Sequence, residues 1–192
     1  MAETQKHYQF TSGQILEICQ GDITREVTNA IVNAANSHLM HEGGVAAAIA
    51  RWGGEVIDRE SREWVRLNGP VAHTKPAVTS GGNLPCKFVI HAVGPVWGEG
   101  DEDRKLKEAI LGSLKTAEGL NVNSITFPAI STGIYGFPKD RAAEIFMHSI
   151  RDYFMEFPMS IICSVKIVLM DDITLHAFIT AFQNEFRSEK KI

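Results

Sequence analysis

The sequence predicts an α/β protein, namely a three-layer α/β/α sandwich around a mixed, largely parallel central sheet. Short continuous apolar runs alternate with longer segments in which apolar residues recur every three or four positions, as expected when buried strands are followed by amphipathic helices. The 192 residues are 44% hydrophobic and 22% charged, which suits one core of ordinary size. We therefore predict a single domain over residues 1–192, with a core from about residue 14 to 187 and a charged tail at 188–192 that frays.

Six short apolar runs are predicted to form strands. They cover residues 15–19, 30–34, 77–80, 88–93, 124–127 and 165–170. Gly81, Gly82 and Asn83 separate the third run from the fourth, and this composition is typical of a tight turn.

Five segments have the spacing of amphipathic helices. They cover residues 44–51, 55–68, 101–120, 139–154 and 174–186. Glycines 53 and 54 separate the first two segments, and a Gly-Pro pair at 69–70 ends the second, because glycine and proline interrupt helices. The apolar face of the third segment is formed by Leu106, Ile110, Leu114 and Ala117, and that of the fourth by Ala142, Ile145, Phe146 and Ile150.

Charge and composition exclude several classes of partner. The net charge of −4 and the pI of about 6.0 give no general attraction to nucleic acid or to anionic membranes. No apolar run reaches the ~20 residues that span a bilayer, and the first residues lack an apolar signal core, so we expect a cytoplasmic protein with no membrane partner. Cys19, Cys86 and Cys163 lie in or beside apolar runs, which predicts buried, reduced thiols.

Three loops are expected to meet at one edge of the sheet, since ligands of such folds bind outside the carboxyl ends of the strands. They are the loop after Cys19 (residues 20–24), the loop after Ala34 within the stretch 32–49, and the loop after Phe127 (residues 128–138). Gly43 and Gly44 precede a predicted helix, and the run Ser131, Thr132 and Gly133 is similarly small. Backbone N–H groups beside small side chains bind phosphate, so two such loops facing each other would hold a diphosphate.

Other side chains in these loops suit the rest of a nucleotide sugar. Asp22 could accept a hydrogen bond from an exocyclic amine or a ribose hydroxyl, and Asn36 can donate and accept at once. Tyr135 and Phe137 offer flat surfaces for a ribose or a base edge. Together the loops indicate a site for a nucleotide sugar diphosphate.

Each of these features also has a purely structural explanation. Asp22 could cap a short helical turn over residues 24–27, and Asn36 could form an Asx-turn within its own loop. The Gly43-Gly44 pair could be only a loop-to-helix junction, and the sequence S-T-G-I-Y-G could be a plain turn. The joint position of these residues at successive strand ends favours ligand binding.

Other nucleotide and metal chemistries lack their sequence patterns. The chain contains neither G-x-x-x-x-G-K-[ST] nor a G-x-G-x-x-G that opens a strand–helix unit, which argues against ATP hydrolysis and hydride transfer. His38 and His41 have no further Cys or His partner at metal-binding spacing. His91 lies within an apolar strand, where we expect a core or supporting role. We therefore predict no metal and no cofactor.

Five motifs together resemble the macrodomain family. They are G-D-I-T at 21–24, I-V-N-A-A-N-S-x-L at 31–39, G-G-V-A-x-A-I at 43–49, H-A-V-G-P at 91–95 and F-P-A-I-S-T-G-I-Y-G-F-P at 127–138. Their order and spacing extend the resemblance from about Leu16 to Phe186. The resemblance implies an α/β/α sandwich that binds ADP-ribose. Some macrodomains only bind it, whereas others remove it from acidic side chains or hydrolyse O-acetyl-ADP-ribose.

The resemblance also implies roles for individual residues. Asp22 would accept from the adenine amino group with Ile23 beside it, and Asn36 would meet the distal ribose. The first diphosphate loop would contain Gly43, Gly44 and Val45, and the second would contain Ser131, Thr132, Gly133, Ile134 and Tyr135. Phe137 would form a wall of the distal ribose site, and Met170 would cover the adenine ring.

Three positions depart from the family pattern. Glu42 replaces a third glycine of many hydrolytic relatives, and its carboxylate would repel phosphate unless it points to solvent. Ala46 stands where the strongly hydrolytic branch has an aspartate proposed to activate water. Met170 stands where an aromatic residue often stacks on adenine, and a thioether covers a ring more softly. Binding is therefore better supported than catalysis.

The sequence thus predicts a protein that binds ADP-ribose, or an ADP-ribosylated protein, and hydrolyses ADP-ribosyl esters. The esters would be mono-ADP-ribosylated Asp or Glu side chains or O-acetyl-ADP-ribose. Asn36 is the catalytic candidate, because it would position a water while the substrate's own diphosphate takes the proton. The alternative is a non-catalytic reader of ADP-ribose or ADP-ribosylated proteins, which Ala46 favours. Recognition of the adenine end of poly(A) RNA is a third possibility, and the negative net charge disfavours it.

Overall fold

The computed structural model describes residues 2–186 and contains one seven-stranded sheet. The strands are β1 (Glu3–Gln9), β2 (Ile15–Gln20), β3 (Ala30–Ala35), β4 (Ala77–Ser80), β5 (Phe88–Val93), β6 (Ser124–Phe127) and β7 (Ser164–Leu169). Their order across the sheet is β1-β2-β7-β6-β3-β5-β4. The five central strands are parallel, and β1 and β4 are antiparallel edges. The prediction of a mixed, largely parallel sheet is confirmed.

Helices cover both faces of this sheet. They are α1 (Gly44–Gly53), α2 (Glu55–Asn68), α3 (Glu102–Gly119), α4 (Lys139–Glu156) and α5 (Asp172–Glu185), and a short 3-10 helix spans Ile23–Arg25. Helices α3, α4 and α5 pack together on one face, whereas α1 and α2 pack on the other. The predicted three-layer α/β/α sandwich is therefore confirmed.

Strand β3 illustrates why the central strands are continuous apolar runs in the sequence. Ala30 and Val32 lie in the core beneath α3, α4 and α5, whereas Ile31 lies in the second core with Ile49 and Ile57 of α1 and α2. Successive side chains of a strand point to opposite faces, and here both faces are covered. Since neither face meets water, the sequence does not alternate between polar and apolar residues.

Strand β1 was not predicted from the sequence. Its residues are mostly polar, and it pairs antiparallel with β2 at the edge of the sheet. Backbone hydrogen bonds hold such a strand without requiring an apolar stripe, so no sequence periodicity marks it. Just beyond it, Phe10 is 8% exposed and contacts Phe154 and Phe186 with ring centroids 5.0 and 5.8 Å apart. The core therefore begins before residue 14.

The three cysteines differ in burial. Cys19 is buried and Cys86 is half-buried, but Cys163 is exposed in the segment that leads into β7. The prediction of a buried thiol is wrong at Cys163, because the neighbouring Ile162 takes the inward position and is fully buried, whereas Cys163 faces outward and its thiol lies 3.4 Å from the Ile161 carbonyl. Arg187, the predicted end of the core, and the predicted tail at 188–192 lie outside the described residues.

Candidate functional site

Loops from several strands converge at the carboxyl edge of the sheet. The backbone N–H of Gly21 donates to the carbonyl of Leu169 at 2.9 Å, which joins the loop after β2 to the end of β7. The N–H of Trp97 donates to the carbonyl of Tyr135 at 2.9 Å, which joins the loops after β5 and β6. The fold thus brings together loops that are distant in sequence, as the parallel arrangement of the strands requires.

The loop after β3 (residues 36–44, the first loop) faces the loop after β6 (residues 128–138, the second loop). A Cβ atom placed on Gly43 would lie 2.9 Å from Cδ1 of Ile134, and one placed on Gly44 would lie 3.9 Å from the same atom. The Ile134 side chain is nevertheless 81% exposed. The two glycine-bearing loops are therefore close neighbours, bridged by one exposed aliphatic side chain.

Asp22 caps the 3-10 helix that follows β2. Its Oδ1 atom accepts from the backbone N–H of Thr24 at 2.9 Å and from the Thr24 hydroxyl at 2.7 Å. Its Oδ2 atom lies 3.7 Å from Nε of Arg25, and the Asp22 side chain is 35% exposed. The capping explanation is confirmed, although a carboxylate has lone pairs on both oxygens and Oδ2 can accept a further donor.

The segment that carries Asp22 is fastened to the sheet by buried groups. Ile23 is 5% exposed and packs in the core that underlies α1 and α2. Glu26 is fully buried, and its carboxylate pairs with Nζ of Lys166 at 3.2 Å and accepts from the N–H of Ala2. A buried carboxylate needs such partners because it has lost its hydration. These contacts fix the position of Asp22 at the edge of the sheet.

Asn36 closes the first loop with its own side chain. Its Oδ1 atom accepts from the N–H groups of His38 at 3.1 Å and Met40 at 3.0 Å, and its Nδ2 atom donates to the Met40 carbonyl at 2.7 Å. This Asx-type arrangement confirms the structural explanation for Asn36. The amide nitrogen carries two hydrogens, so Asn36 can make one more donation from the same rigid position.

The first loop ends at the amino terminus of α1. Gly43 is the N-cap residue of this helix, and no side chain provides a capping hydrogen bond. The first N–H groups of a helix have no intrahelical acceptor and lie at the positive end of its dipole. Val45 is half-buried and packs with the core beneath α1, so its backbone N–H is the group it can offer to a ligand.

The second loop is a compact turn held by backbone hydrogen bonds. The N–H groups of Thr132, Gly136 and Phe137 donate to the carbonyls of Ala129, Gly133 and Ser131 at 3.3, 3.0 and 3.0 Å. The Thr132 hydroxyl also donates to the Ala129 carbonyl at 2.9 Å. Thr132 and Gly136 thus donate within the turn. Among the hydrogen bonds of residues 2–186, the backbone N–H groups of residues 133–135 have no acceptor, so they can bind a ligand.

The fold of the protein does not require a glycine at position 133. Its φ lies outside the left-handed region, and a Cβ atom added there would meet no atom within 4 Å. Neither the backbone nor the packing excludes a side chain at this position. A glycine in open space at a loop surface is expected where another molecule approaches the backbone closely.

Ser131 has an unusual environment at the start of this turn. Its φ is 68°, in the left-handed region that serine seldom adopts. It is 6% exposed, and its Oγ atom has no hydrogen-bond partner within residues 2–186. A Cβ atom on Gly94 would lie 2.1 Å from this Oγ. Only glycine therefore fits at position 94, where the loop after β5 packs directly against the second loop.

The aromatic residues of the second loop differ in exposure. Phe137 is 1% exposed and belongs to the main core, so only a small part of its ring can form a wall of a ligand site. Burial raises the pKa of the Tyr135 phenol, and the nearby Glu99 carboxylate raises it further. The ring centroid of Trp97 lies 5.1 Å from that of Phe137 in an edge-on contact, and Trp97 is 41% exposed. Sequence analysis did not identify Trp97, although it lies only two residues after the H-A-V-G-P motif.

The three departures from the family pattern have distinct surroundings. Glu42 is exposed, so solvent screens the effect of its charge on the neighbouring loop. Ala46 is 6% exposed inside the first turn of α1. Met170 is 71% exposed directly after β7, where its side chain is accessible to a ligand.

Sequence analysis identified His91 but missed its buried polar partner beneath the first loop, Asn33. Asn33 of β3 and His91 of β5 are neighbours across the sheet and are both fully buried. Asn33, like His91, is a polar residue inside an apolar run, and this was the signal that could have revealed it. His91 does have the supporting position expected for it, since its ring bonds to Asn33 and Thr79.

A cleft of about 600 Å³ lies at the opposite edge of the sheet, between the ends of α3 and α4. Its Glu118 carboxylate accepts from the Ser160 hydroxyl at 2.6 Å, from the Ile161 N–H at 3.1 Å and from the Tyr153 hydroxyl at 3.4 Å. Burial, chiefly, raises the pKa of Tyr153 to about 12. The polar groups of this cleft are thus engaged in holding the loop after α4.

Within residues 2–186, no group of three or more His, Cys, Asp and Glu side chains is arranged to hold a metal ion. No helix of the same range is long and apolar enough to cross a membrane.

Comparison with known proteins identifies relatives of the whole architecture. Residues 32–146 match the family model of the Macro domain. An O-acetyl-ADP-ribose deacetylase of Escherichia fergusonii is 46% identical over 140 residues, which are 72% of this chain and 79% of that protein. A Thermotoga maritima protein is 47% identical over 180 residues, which are 93% of this chain but only 30% of that protein's length.

Solved structures agree with these matches. The Oceanobacillus iheyensis macrodomain with ADP has a TM-score of 0.88 and 33% sequence identity, and the match covers 93% of this chain and 95% of that one. The Trypanosoma brucei macrodomain in complex with ADP-ribose has a TM-score of 0.78 and 28% identity, with coverage of 85% and 67%. The chain therefore belongs to the Macro domain family.

Proposed function

We propose that this protein binds ADP-ribose at the carboxyl edge of its sheet and hydrolyses ADP-ribosyl esters. The esters are mono-ADP-ribosylated Asp or Glu side chains or O-acetyl-ADP-ribose. The observation that carries the proposal is the proximity of two segments rich in unused backbone N–H groups, one at residues 43–45 and one at residues 133–135, which meet at the Ile134 side chain. The ADP and ADP-ribose complexes of related macrodomains support the same ligand class.

The diphosphate would lie between the first and second loops. Its negative charge suits the uncapped amino terminus of α1 and the three N–H groups that the second turn leaves unused. Gly43, Gly44 and Gly133 let the phosphate oxygens approach the backbone, and Ile134 would cover them from solvent. Oriented amides can therefore hold the diphosphate without a cationic side chain.

The adenine end would lie at the loops after β2 and β7. Asp22 holds Thr24 with Oδ1 and would accept from the adenine amino group with Oδ2. Ile23 would lie beneath the ring, and the exposed Met170 would cover one of its faces. The carboxylate distinguishes an amino group, which donates, from a carbonyl, which does not.

The distal ribose would lie near Asn36, Tyr135 and Phe137, where the ester is cleaved. Hydrolysis adds one water across the ester bond and yields ADP-ribose and a carboxylic acid. Asn36 would orient the ribose and the water with its second N–H, and the water's proton would pass to the substrate's diphosphate. Ala46 offers no carboxylate for this purpose, so the rate enhancement would come from positioning and electrostatics.

A non-catalytic reader is the second candidate function. Two observations favour it. The Asn36 side chain already forms three hydrogen bonds within its own loop, and Ala46 has no ionisable group. In this case the same site would bind ADP-ribose, or the ADP-ribosylated side chain of a protein, without releasing it.

The two candidates are separated by a time course with a glutamate-linked ADP-ribosylated protein. We expect release of ADP-ribose from this ester but not from serine-linked or arginine-linked adducts, since the serine alkoxide and the arginine guanidine are poorer leaving groups than a carboxylate. Calorimetry with ADP-ribose should show one-to-one binding, and AMP should bind more weakly. Binding without release at high enzyme concentration would establish the reader, and no binding of either ligand would refute both functions.

A further inference from the structure

A buried polar network lies directly beneath the first loop. It joins side chains from five different segments of the fold, namely Asn33 of β3, His41 of the first loop, Ser61 of α2, Thr79 of β4 and His91 of β5. His41 lies two residues before Gly43, so this network connects the diphosphate-binding end of the loop to the sheet and to α2.

The distances define which atoms meet. Nδ2 of Asn33 lies 3.0 Å from Nδ1 of His91 and 3.4 Å from Nδ1 of His41. Nε2 of His41 lies 2.9 Å from Oγ of Ser61, and Nε2 of His91 lies 3.0 Å from Oγ1 of Thr79. The two imidazole rings are stacked with centroids 5.2 Å apart.

With the Asn33 amide oriented so that Nδ2 faces the two imidazoles, the hydrogen positions on both rings follow. An amide nitrogen only donates, so Nδ1 of His41 and Nδ1 of His91 must both accept from Asn33. Each ring then carries its hydrogen on Nε2 and donates it to a hydroxyl, and the Thr79 hydroxyl passes its own hydrogen to the Ser80 carbonyl at 3.0 Å. This pattern of donors and acceptors requires both rings to be neutral.

Protonation of His41 would break this pattern. A proton on Nδ1 would oppose the N–H of Asn33, and Oδ1 of Asn33 has no hydrogen-bond partner within residues 2–186. The Asn33 amide would have to turn over to present Oδ1 to the new proton, and its hydrogen bond to His91 would then persist only if His91 moved its own hydrogen to Nδ1 and Thr79 gave up its bond to the Ser80 carbonyl. Releasing the amide would therefore loosen the connection between the first loop and the sheet.

Burial of His41 favours the neutral ring, although a nearby carboxylate favours the charged one. Burial lowers the pKa of His41, and the Asp58 carboxylate of α2 opposes this effect only in part. Burial lowers the pKa of His91 to about 3, and the neighbouring His41 contributes. Glu42 is exposed beside His41 on the loop itself, while Asn33 and Ser61 carry no charge.

We propose that His41 is a positioning residue that fixes the first loop in its diphosphate-binding geometry, and that it does so only as the neutral ring protonated on Nε2. This inference rests on the proposed binding of ADP-ribose. His41 would not touch the ligand. It would act through Asn33 on one side and Ser61 on the other, and hold Gly43 and the amino terminus of α1 in place.

The test is the pH dependence of ADP-ribose affinity, measured by calorimetry from pH 8 to pH 5. The affinity of the wild type should be constant above pH 7 and should weaken roughly three- to tenfold by pH 5, because the apparent Kd rises as the neutral, competent fraction falls. His41→Gln keeps an N–H donor for Ser61 but cannot be charged. Its affinity should be within about threefold of the wild type at pH 7.5 and should not change with pH.

His38→Gln is the matched control, since His38 is an exposed histidine of the same loop. This variant should retain the wild-type pH profile. NMR of the ¹⁵N-labelled imidazoles provides a readout that needs no ligand, and both His41 and His91 should have the hydrogen on Nε2.

Different outcomes refute different claims. A wild type that binds no ADP-ribose at any pH would refute the proposed function. A wild type that binds with a flat pH profile, a His41→Gln variant that keeps the wild-type pH dependence, or an Nδ1-protonated His41 at pH 7.5 would each refute the positioning role alone.

Discussion

The first and second loops face each other, but different interactions hold them in shape. The first loop depends on side chains: the Asn36 amide closes it, and His41 ties it to Asn33 and Ser61. The second loop depends on its own backbone turn and on close packing against Gly94 and Trp97. Side-chain hydrogen bonds can be altered by pH and by single polar substitutions, whereas a backbone turn cannot. We therefore expect the two loops to respond differently to mutation.

The largest effect is expected at the second loop. Gly133→Glu should weaken ADP-ribose binding by more than about 100-fold, because the new side chain occupies the diphosphate space and adds like charge. Open space around Gly133 means that the fold should persist, as circular dichroism would show. Gly44→Glu should also abolish binding, but the φ of Gly44 is 57°, so that variant carries backbone strain as well.

Gly119→Glu is the control for this charge. Gly119 ends α3 at the opposite edge of the sheet, and a Cβ atom there also meets nothing within 4 Å. Calorimetry should give wild-type affinity for this variant. Equal affinities for Gly133→Glu and Gly119→Glu would remove the second loop from the site.

The next largest effect is expected at Asp22, which would contact the adenine of the ligand but not its diphosphate. Asp22→Ala should cost about 1–3 kcal/mol of binding free energy through the lost acceptor, and about 1 kcal/mol of unfolding free energy through the lost cap. Asp22→Asn separates the two roles, because its oxygen can still cap Thr24 while its NH2 group cannot accept from adenine. It should bind as weakly as Asp22→Ala yet unfold close to the wild-type temperature. Wild-type affinity in Asp22→Asn would contradict the adenine contact.

The kinetics of an Asn36 variant would show whether this residue only closes the first loop or also promotes the reaction. If it orients the reacting groups, Asn36→Ala should lower kcat for the glutamate-linked ester roughly 10- to 100-fold with a smaller rise in KM. If it only closes the first loop, KM should rise and kcat should change little. Asn68→Ala, which removes a surface amide bond to Trp64 on α2, should leave both constants unchanged.

The smallest effect is expected at Glu42. Because this side chain is exposed, Glu42→Gly should tighten ADP-ribose binding by only about twofold at low salt, and the difference should vanish as salt screens the charge. A large gain in affinity that persists at high salt would mean that the carboxylate faces the diphosphate. The first loop would then be the weaker half of the site in this protein.

Much of the fold followed from local patterns in the sequence. The strands at 77–80, 88–93 and 124–127 and the helix at 55–68 were predicted with the bounds that the structure has, because each is a continuous apolar or amphipathic run ended by glycine, proline or asparagine. Strand β1 left no such pattern, since an edge strand held by backbone hydrogen bonds needs no apolar stripe.

The motifs, read as a macrodomain resemblance, also determined which loops matter. The sequence alone indicated that Asp22, Asn36, the paired glycines and the S-T-G turn belong to one site, since strand ends of a parallel sheet meet at one edge. It could not decide between the ligand-binding and structural roles of Asp22 and Asn36. The tertiary structure shows that both side chains carry structural hydrogen bonds, and their roles toward a ligand remain predictions.

Only the tertiary structure revealed the support beneath the loops. Asn33, His41 and His91 are separated by up to 58 positions, and Trp97 meets Phe137 from a different loop. Hydrogen bonds and ring contacts between distant segments depend on side-chain directions that no sequence spacing encodes. The sequence therefore determined the fold class and the chemistry of the candidate site, whereas three-dimensional packing decided which buried groups hold that site in shape.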